Sequence, residues 1–162
     1  MKPVIDISGA TSWKDQRGAV LVEMAIVLPL FAILLLGVFE FGSIAHDHQA
    51  LQNAAREGAR FSANPTTGQA CPSDPNAATT LATIKNRVVT YLQGEKITVS
   101  AADVTVDQSY PITIGGMTVM GSRVTVNYQR SLIFPGITGL IPSAGTMQLQ
   151  GNAVFRNFYS CV

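Results

Sequence analysis

Charge is scarce in this sequence. Only 13% of its 162 residues are Asp, Glu, Lys or Arg, about half the share usual for soluble proteins. The eleven Lys/Arg nearly cancel the ten Asp/Glu, leaving a formal charge of +1. Such a chain has no global field with which to draw in nucleic acid, and it has no basic stripe with interleaved aromatics that could hold a single strand. Histidine and cysteine are scarcer still, with two of each. His46 and His48 lie about 200° apart around a helix, so they make no i, i+4 zinc pair, and no Cys-x-x-Cys, HExxH or acidic calcium loop occurs. No GxSxG elbow accompanies the histidines. Gly115-Gly116 belongs to a hairpin turn, not to a phosphate loop ahead of a helix. These gaps argue against a metal centre, a cofactor, a small-molecule substrate and catalysis. With 14 Gly and 8 Pro there is no collagen-like or low-complexity bias, and the remainder is too apolar and too patterned for disorder.

What the chain has in excess is one hydrophobic run. Between Arg17 and Glu40 lies GAVLVEMAIVLPLFAILLLGVF, twenty-two residues whose only charge is Glu23. As a helix it spans about 33 Å, enough for a bilayer core of about 30 Å. Lys2, Lys14 and Arg17 precede it, and Glu40 and Asp47 follow. This bias keeps the N-terminus cytoplasmic and exports the rest. Residues 1–17 show neither helical nor strand periodicity, which suits a leader. The length left over accommodates one exported domain.

Three readings of the run predict different mature chains. A secretory signal would be cut after Ser43-Ile44-Ala45, a small-x-small site. A plain anchor would keep its leader. A pilin-type signal would be cut on the cytoplasmic side. Glu23 bears on the choice, because a carboxylate in a membrane helix costs about 2–3 kcal/mol when deep and needs a partner. Cleavage between Gly18 and Ala19 would place the new α-amino group of Ala19 one helical turn before Glu23. The same carboxylate could pair with the amine of a neighbouring subunit and set the register between packed helices, or it could snorkel towards Arg17 or Lys14. Pro29 leaves the Ala25 carbonyl without its donor, so a kink or local unwinding is expected there.

From Arg17 to Ala63 the chain reads RGAVLVEMAIVLPLFAILLLGVFEFGSIAHDHQALQNAAREGARFSA. Arg17-Gly18, Glu23 followed by Ala25, mid-helix Pro29, Glu40-Phe41-Gly42, and Gln49-Ala50-Leu51 through Ala54-Ala55-Arg56-Glu57-Gly58-Ala59-Arg60 together resemble the TadE-like family of pilus-assembly proteins. The resemblance implies a minor pilin-like subunit of tight-adherence (Tad, or Flp-type) adhesive pili. Its implied partners are other pilus subunits, a membrane assembly platform and a prepilin peptidase whose signal is Gly followed by four residues and Glu. Gly18 to Glu23 has that spacing. Met24 stands where processed relatives often carry an aromatic, which keeps open an unprocessed single-pass anchor or scaffold with an exported binding domain. The implied location is the bacterial inner membrane, with the exported part periplasmic, extracellular or built into the pilus. The expected organisation is therefore a cytoplasmic leader at 1–18, a transmembrane helix at 19–45 and an exported domain at 46–162.

Beyond the membrane, Leu51, Ala54, Ala55, Gly58 and Ser62 form a stripe of mostly small side chains at helical spacing. The stripe suits packing on the domain's own sheet, or a seam with another subunit. Arg56, Glu57 and Arg60 are expected on a solvated face. After Asn64-Pro65 and a Pro/Gly-bearing loop, Leu81, Ile84, Val88 and Tyr91 mark a second helix from Asn76 to a stop at Gly94. Alternation then predicts strands at 97–99 and 104–106 around a break at Ala101-Ala102-Asp103, at 124–128 and at 147–155, with an apolar connection at 134–142. Helices followed by antiparallel strands give an α+β domain, the second helix packed on a sheet of three to four strands. Cys71 and Cys161, both exported, are expected to pair.

Overall fold

Two helices followed by three strands make up the computed structural model, which describes residues 13–64, 76–133 and 145–158, with side chains from Gly18 onward. The chain divides into two units, Met1–Phe39 and Glu40–Val162. Helix α1, Trp13–Ser62, contributes to both. Within the first unit every described side chain except Leu36 is exposed. Leu, Ala, Met and Glu favour the helix locally, and the stretch is apolar all round and long enough to cross a bilayer. The helix is continuous through Pro29, so the rung lost at Ala25 does not interrupt it.

The second unit is α+β, as the alternation predicts. Strands β1 (Val104–Ile114), β2 (Met117–Ser131) and β3 (Thr146–Arg156) form one antiparallel sheet in the order β1-β2-β3. Gly115 and Gly116 join β1 to β2 at φ of 58° and 82°, the positive pair that a tight hairpin matching the strand twist demands. Along β2, Val124 and Val126 are buried while Asn127 and Gln129 are exposed, so one face takes the core and the other meets water. Helix α2, Ala77–Gly94, buries Ile84, Val88 and Leu92. The core joins Leu51, Ala54 and Ala55 of α1 to Val88 and Leu92 of α2 and to Val104, Val124, Val126 and Leu149 of the sheet. Both helices therefore pack on one sheet face.

Two local features differ from the sequence expectation. Helix α2 ends at Gly94, as expected, but the glycine does not supply the left-handed cap. The left-handed residue is Lys96, at φ 63°, with Lys96 N–H donating to the Gln93 carbonyl at 3.0 Å and Ile97 N–H to the Leu92 carbonyl at 2.9 Å. These bonds make a Schellman cap, closed by the apolar pair Leu92 and Ile97. No strand forms at 97–99, although Ile97 and Val99 are buried. The chain leaving the cap passes into a 3-10 turn at Ala101–Asp103, and pairing with β2 begins only where Val104 meets Val126. In that turn the Ser100 backbone N–H and hydroxyl both reach the Asp103 carboxylate, at 2.9 and 2.8 Å. These bonds hold its pKa below the ordinary value. The expected Cys71–Cys161 pair and the connection at 134–142 lie outside the described residues.

Candidate functional site

Gly18, Ala19 and Glu23 all lie on α1 and are exposed, with Ala19 and Glu23 one turn apart. Among the described side chains Glu23 meets no cation; Lys14 and Arg17 fall outside them. The carboxylate stands on a helix face whose neighbours, Val20, Val22, Met24, Ile26 and Val27, are half or more exposed. Its surroundings are apolar without being covered.

The small-residue stripe is placed differently. Leu51, Ala54, Ala55 and Ser62 are fully buried, and what covers them is the unit's own sheet and α2. The approach is close. A Cβ added at Gly58 would stand 2.5 Å from Val88 Cγ2, and one added at Gly151 of β3 would stand 2.5 Å from the backbone carbonyl of Leu51. Gly58 lets α2 and β2 reach α1, and Gly151 lets α1 lie directly on the β3 backbone. Glu57, on the solvated side as expected, accepts two bonds from Arg87 of α2, at 3.1 and 2.8 Å. The Arg87 guanidinium also stacks 4.8 Å over the Phe61 ring, so α1 and α2 are clipped together at the surface.

A second charged group, not anticipated from the sequence, lies where α1 enters this unit. Arg130 continues the inward phase of Val124, Val126 and Tyr128 on β2, which drives its side chain under α1 until only 7% of it is exposed. Its guanidinium donates to Asp47 Oδ2 and the Ser43 carbonyl through Nη1, the latter at 3.0 Å, and to Ser43 Oγ at 2.8 Å through Nη2. Glu40 Oε1 lies 3.8 Å from Nη2, and the Glu40 carboxylate accepts the Ile133 backbone N–H at 3.2–3.3 Å. Glu40, Ser43 and Asp47 are three and four residues apart, so one helix face presents all three to a single guanidinium. Arg130 Nε is buried with no acceptor among the described residues, a cost the other bonds must offset. The signal was present in the sequence. Extending the β2 alternation by one step puts an arginine inside, and an inward arginine requires carboxylates.

At the other end of the helix, Ser62 accepts from Ser122 Oγ at 2.6 Å and from Gln108 Nε2 at 2.8 Å. Gln108 reaches it from the bulge between Asp107 and Tyr110 of β1. Buried hydroxyls and an amide that satisfy one another tie α1 to the sheet but offer no nucleophile with a base. Among the described residues no three His, Cys, Asp or Glu groups gather as metal ligands would.

Compared with known proteins, residues 18–60 match the family model described as TadE-like protein. No curated protein and no solved structure matches the chain. The matched stretch contains Gly18, Glu23, Pro29, Glu40 and the stripe through Gly58, and it stops short of the sheet.

Proposed function

We propose, from the premise that residues 18–60 form a TadE-like segment, that this protein is a minor pilin-like subunit of Tad, or Flp-type, pili. In this reading a prepilin peptidase cuts it between Gly18 and Ala19, and the bacterial inner membrane holds it with the N-terminus cytoplasmic. The coarser part follows from the segment itself, which points to Tad pilus assembly and to a structural role. The observation that carries the finer part is Glu23, a carboxylate one turn beyond Ala19 on an uncovered apolar helix, with no cation among the described side chains.

Cleavage would supply the cation. A free amine at Ala19, on the same subunit or its neighbour, would meet Glu23 in surroundings of low dielectric, where Coulomb attraction is far stronger than in water. Sliding one helix past another by a turn would break that pair, so it fixes axial register as apolar contact alone does not. Partners are then other pilus subunits and the assembly platform, with the domain beyond the helix displayed outside the cytoplasm.

Glu23→Gln keeps the side chain's size and removes its charge. Incorporation into sheared pili, read by immunoblot, is expected to fall by tenfold or more, about 1.4 kcal/mol of assembly free energy per tenfold, while the protein stays in the membrane fraction. N-terminal sequencing of the mature protein is expected to begin at Ala19. A start at His46 would mean a secreted protein. An intact leader with normal piliation in the glutamine variant would support the unprocessed anchor, the reading that Met24 keeps open.

A further inference from the structure

At the Glu40 end of the second unit, charge is turned inward and apolar side chains outward. Glu40 and Asp47 are only 15% and 16% exposed because Arg130 and the Ile133 backbone N–H meet them from within. Beside them Phe41 is 73% exposed and Ile133 50%. A water-facing surface is expected to have the opposite arrangement, with acids outside and a phenylalanine covered. The sequence that follows Ile133, FPGITGLIPSA at 134–144, contains no charged residue.

We infer that this end of the unit rests on a lipid bilayer, with Phe41 and Ile133 entering the boundary between headgroups and acyl chains. The inference rests on the reading of α1 as a membrane helix. Glu40 closes the apolar run of α1, so the bilayer that takes residues 18–39 ends beside Phe41. Lipid is thus already present at this surface, and no separate partner has to be recruited. A carboxylate at such a boundary ordinarily reaches out to water for its cation. Here Arg130 supplies it from the protein side, which frees the outer surface to be apolar. Side chains of this kind lying in the interface, next to a spanning helix, fix the depth of the exported unit.

The test uses the full chain in vesicles of phosphatidylcholine with brominated acyl chains, in a Trp13→Phe background that removes the sole natural tryptophan. Single tryptophans are introduced by Phe31→Trp in the apolar helix, by Ile133→Trp and, separately, Phe41→Trp at the proposed surface, and by Met117→Trp at the β1–β2 turn. Met117 is 72% exposed and lies roughly 45 Å from Ser131 along β2. The helix variant and both surface variants are expected to lose most of their emission and shift to the blue, while the Met117→Trp protein keeps its emission in the red. Quenching of Phe31→Trp without quenching of Ile133→Trp and Phe41→Trp would overturn this inference and leave the membrane helix standing. Equal quenching of Ile133→Trp and Met117→Trp would also overturn it, since lipid would then have no preferred seat. An unquenched Phe31→Trp would remove the membrane reading itself and this inference with it.

Discussion

Lys96 holds a left-handed backbone at φ 63° that every Cβ-bearing side chain makes costly, by roughly 1–2 kcal/mol. It stays there because Ile97 has to fold back over Leu92, and both are buried. The Schellman bonds from Lys96 and Ile97 therefore override the local preference. Lys96→Gly is expected to raise unfolding stability by about 1 kcal/mol, seen as a higher urea midpoint with an unchanged slope. Lys96→Ala, which removes the charge but keeps the Cβ, is expected to give less than half of that gain. Equal gains from both would place the cost in the charge and not in the backbone. Gly94 is the last helical residue, but composition alone could not show that the left-handed position falls two residues later. The position of the left-handed residue depends on which apolar side chain after the helix finds the core, and Ile97 finds it three residues beyond Gly94.

The packing between elements is set by two glycines that resist change for different reasons. At Gly58 an added methyl meets Val88 Cγ2, a side chain that can be shortened; at Gly151 it meets the Leu51 main chain, which cannot. Gly58→Ala gains up to about 1 kcal/mol in helix propensity and loses about 1–3 kcal/mol to overpacking, so a net destabilisation of about 1 kcal/mol is expected in the parent protein, and little or none in a Val88→Ala background, which carries its own cavity cost. Gly151→Ala is expected to cost more than 2 kcal/mol, with no rescue from Val88→Ala. The measurement is a double-mutant cycle on urea unfolding, and additivity at the Gly58–Val88 pair would exclude the contact as the cause. The helix positions in this packing were legible from spacing, since Leu51, Ala54, Ala55 and Gly58 share a face. So were the alternating core positions of β2. The stripe's partner was not legible, because small residues suit another subunit as well as a sheet. Arg130 was missed because its counter-charges lie more than eighty residues earlier in the chain, and local spacing carries no record of such a pairing. Ile97 and Val99 alternate as strand residues do, yet burial by a loop leaves the same trace.

At the scale of the molecule, every buried hydrophobic side chain among the described residues lies between Ala50 and Leu149, and the Arg130 cluster begins at Glu40. The second unit thus holds its entire described core together with its own charge compensation. A fragment of residues 40–162 is expected to fold and to unfold in urea at the midpoint of the second-unit transition of the full chain in detergent. A fragment starting at His48 retains the core but lacks Glu40, Ser43 and Asp47, leaving Arg130 inside without the groups that hold it. Removing the partners of a buried charge costs about 3–5 kcal/mol, a large part of the roughly 5–15 kcal/mol available to a domain. The shorter fragment is therefore expected to be at least partly unfolded. Loss of two helical turns could produce the same result, and Arg130→Met separates the causes. In the shorter fragment an apolar side chain removes the unpaired charge and should restore much of the lost stability. In residues 40–162 the same substitution strands Glu40 and Asp47 instead and should lower stability. If Arg130→Met acts in the same direction in both fragments, the arginine is not what couples α1 to the sheet.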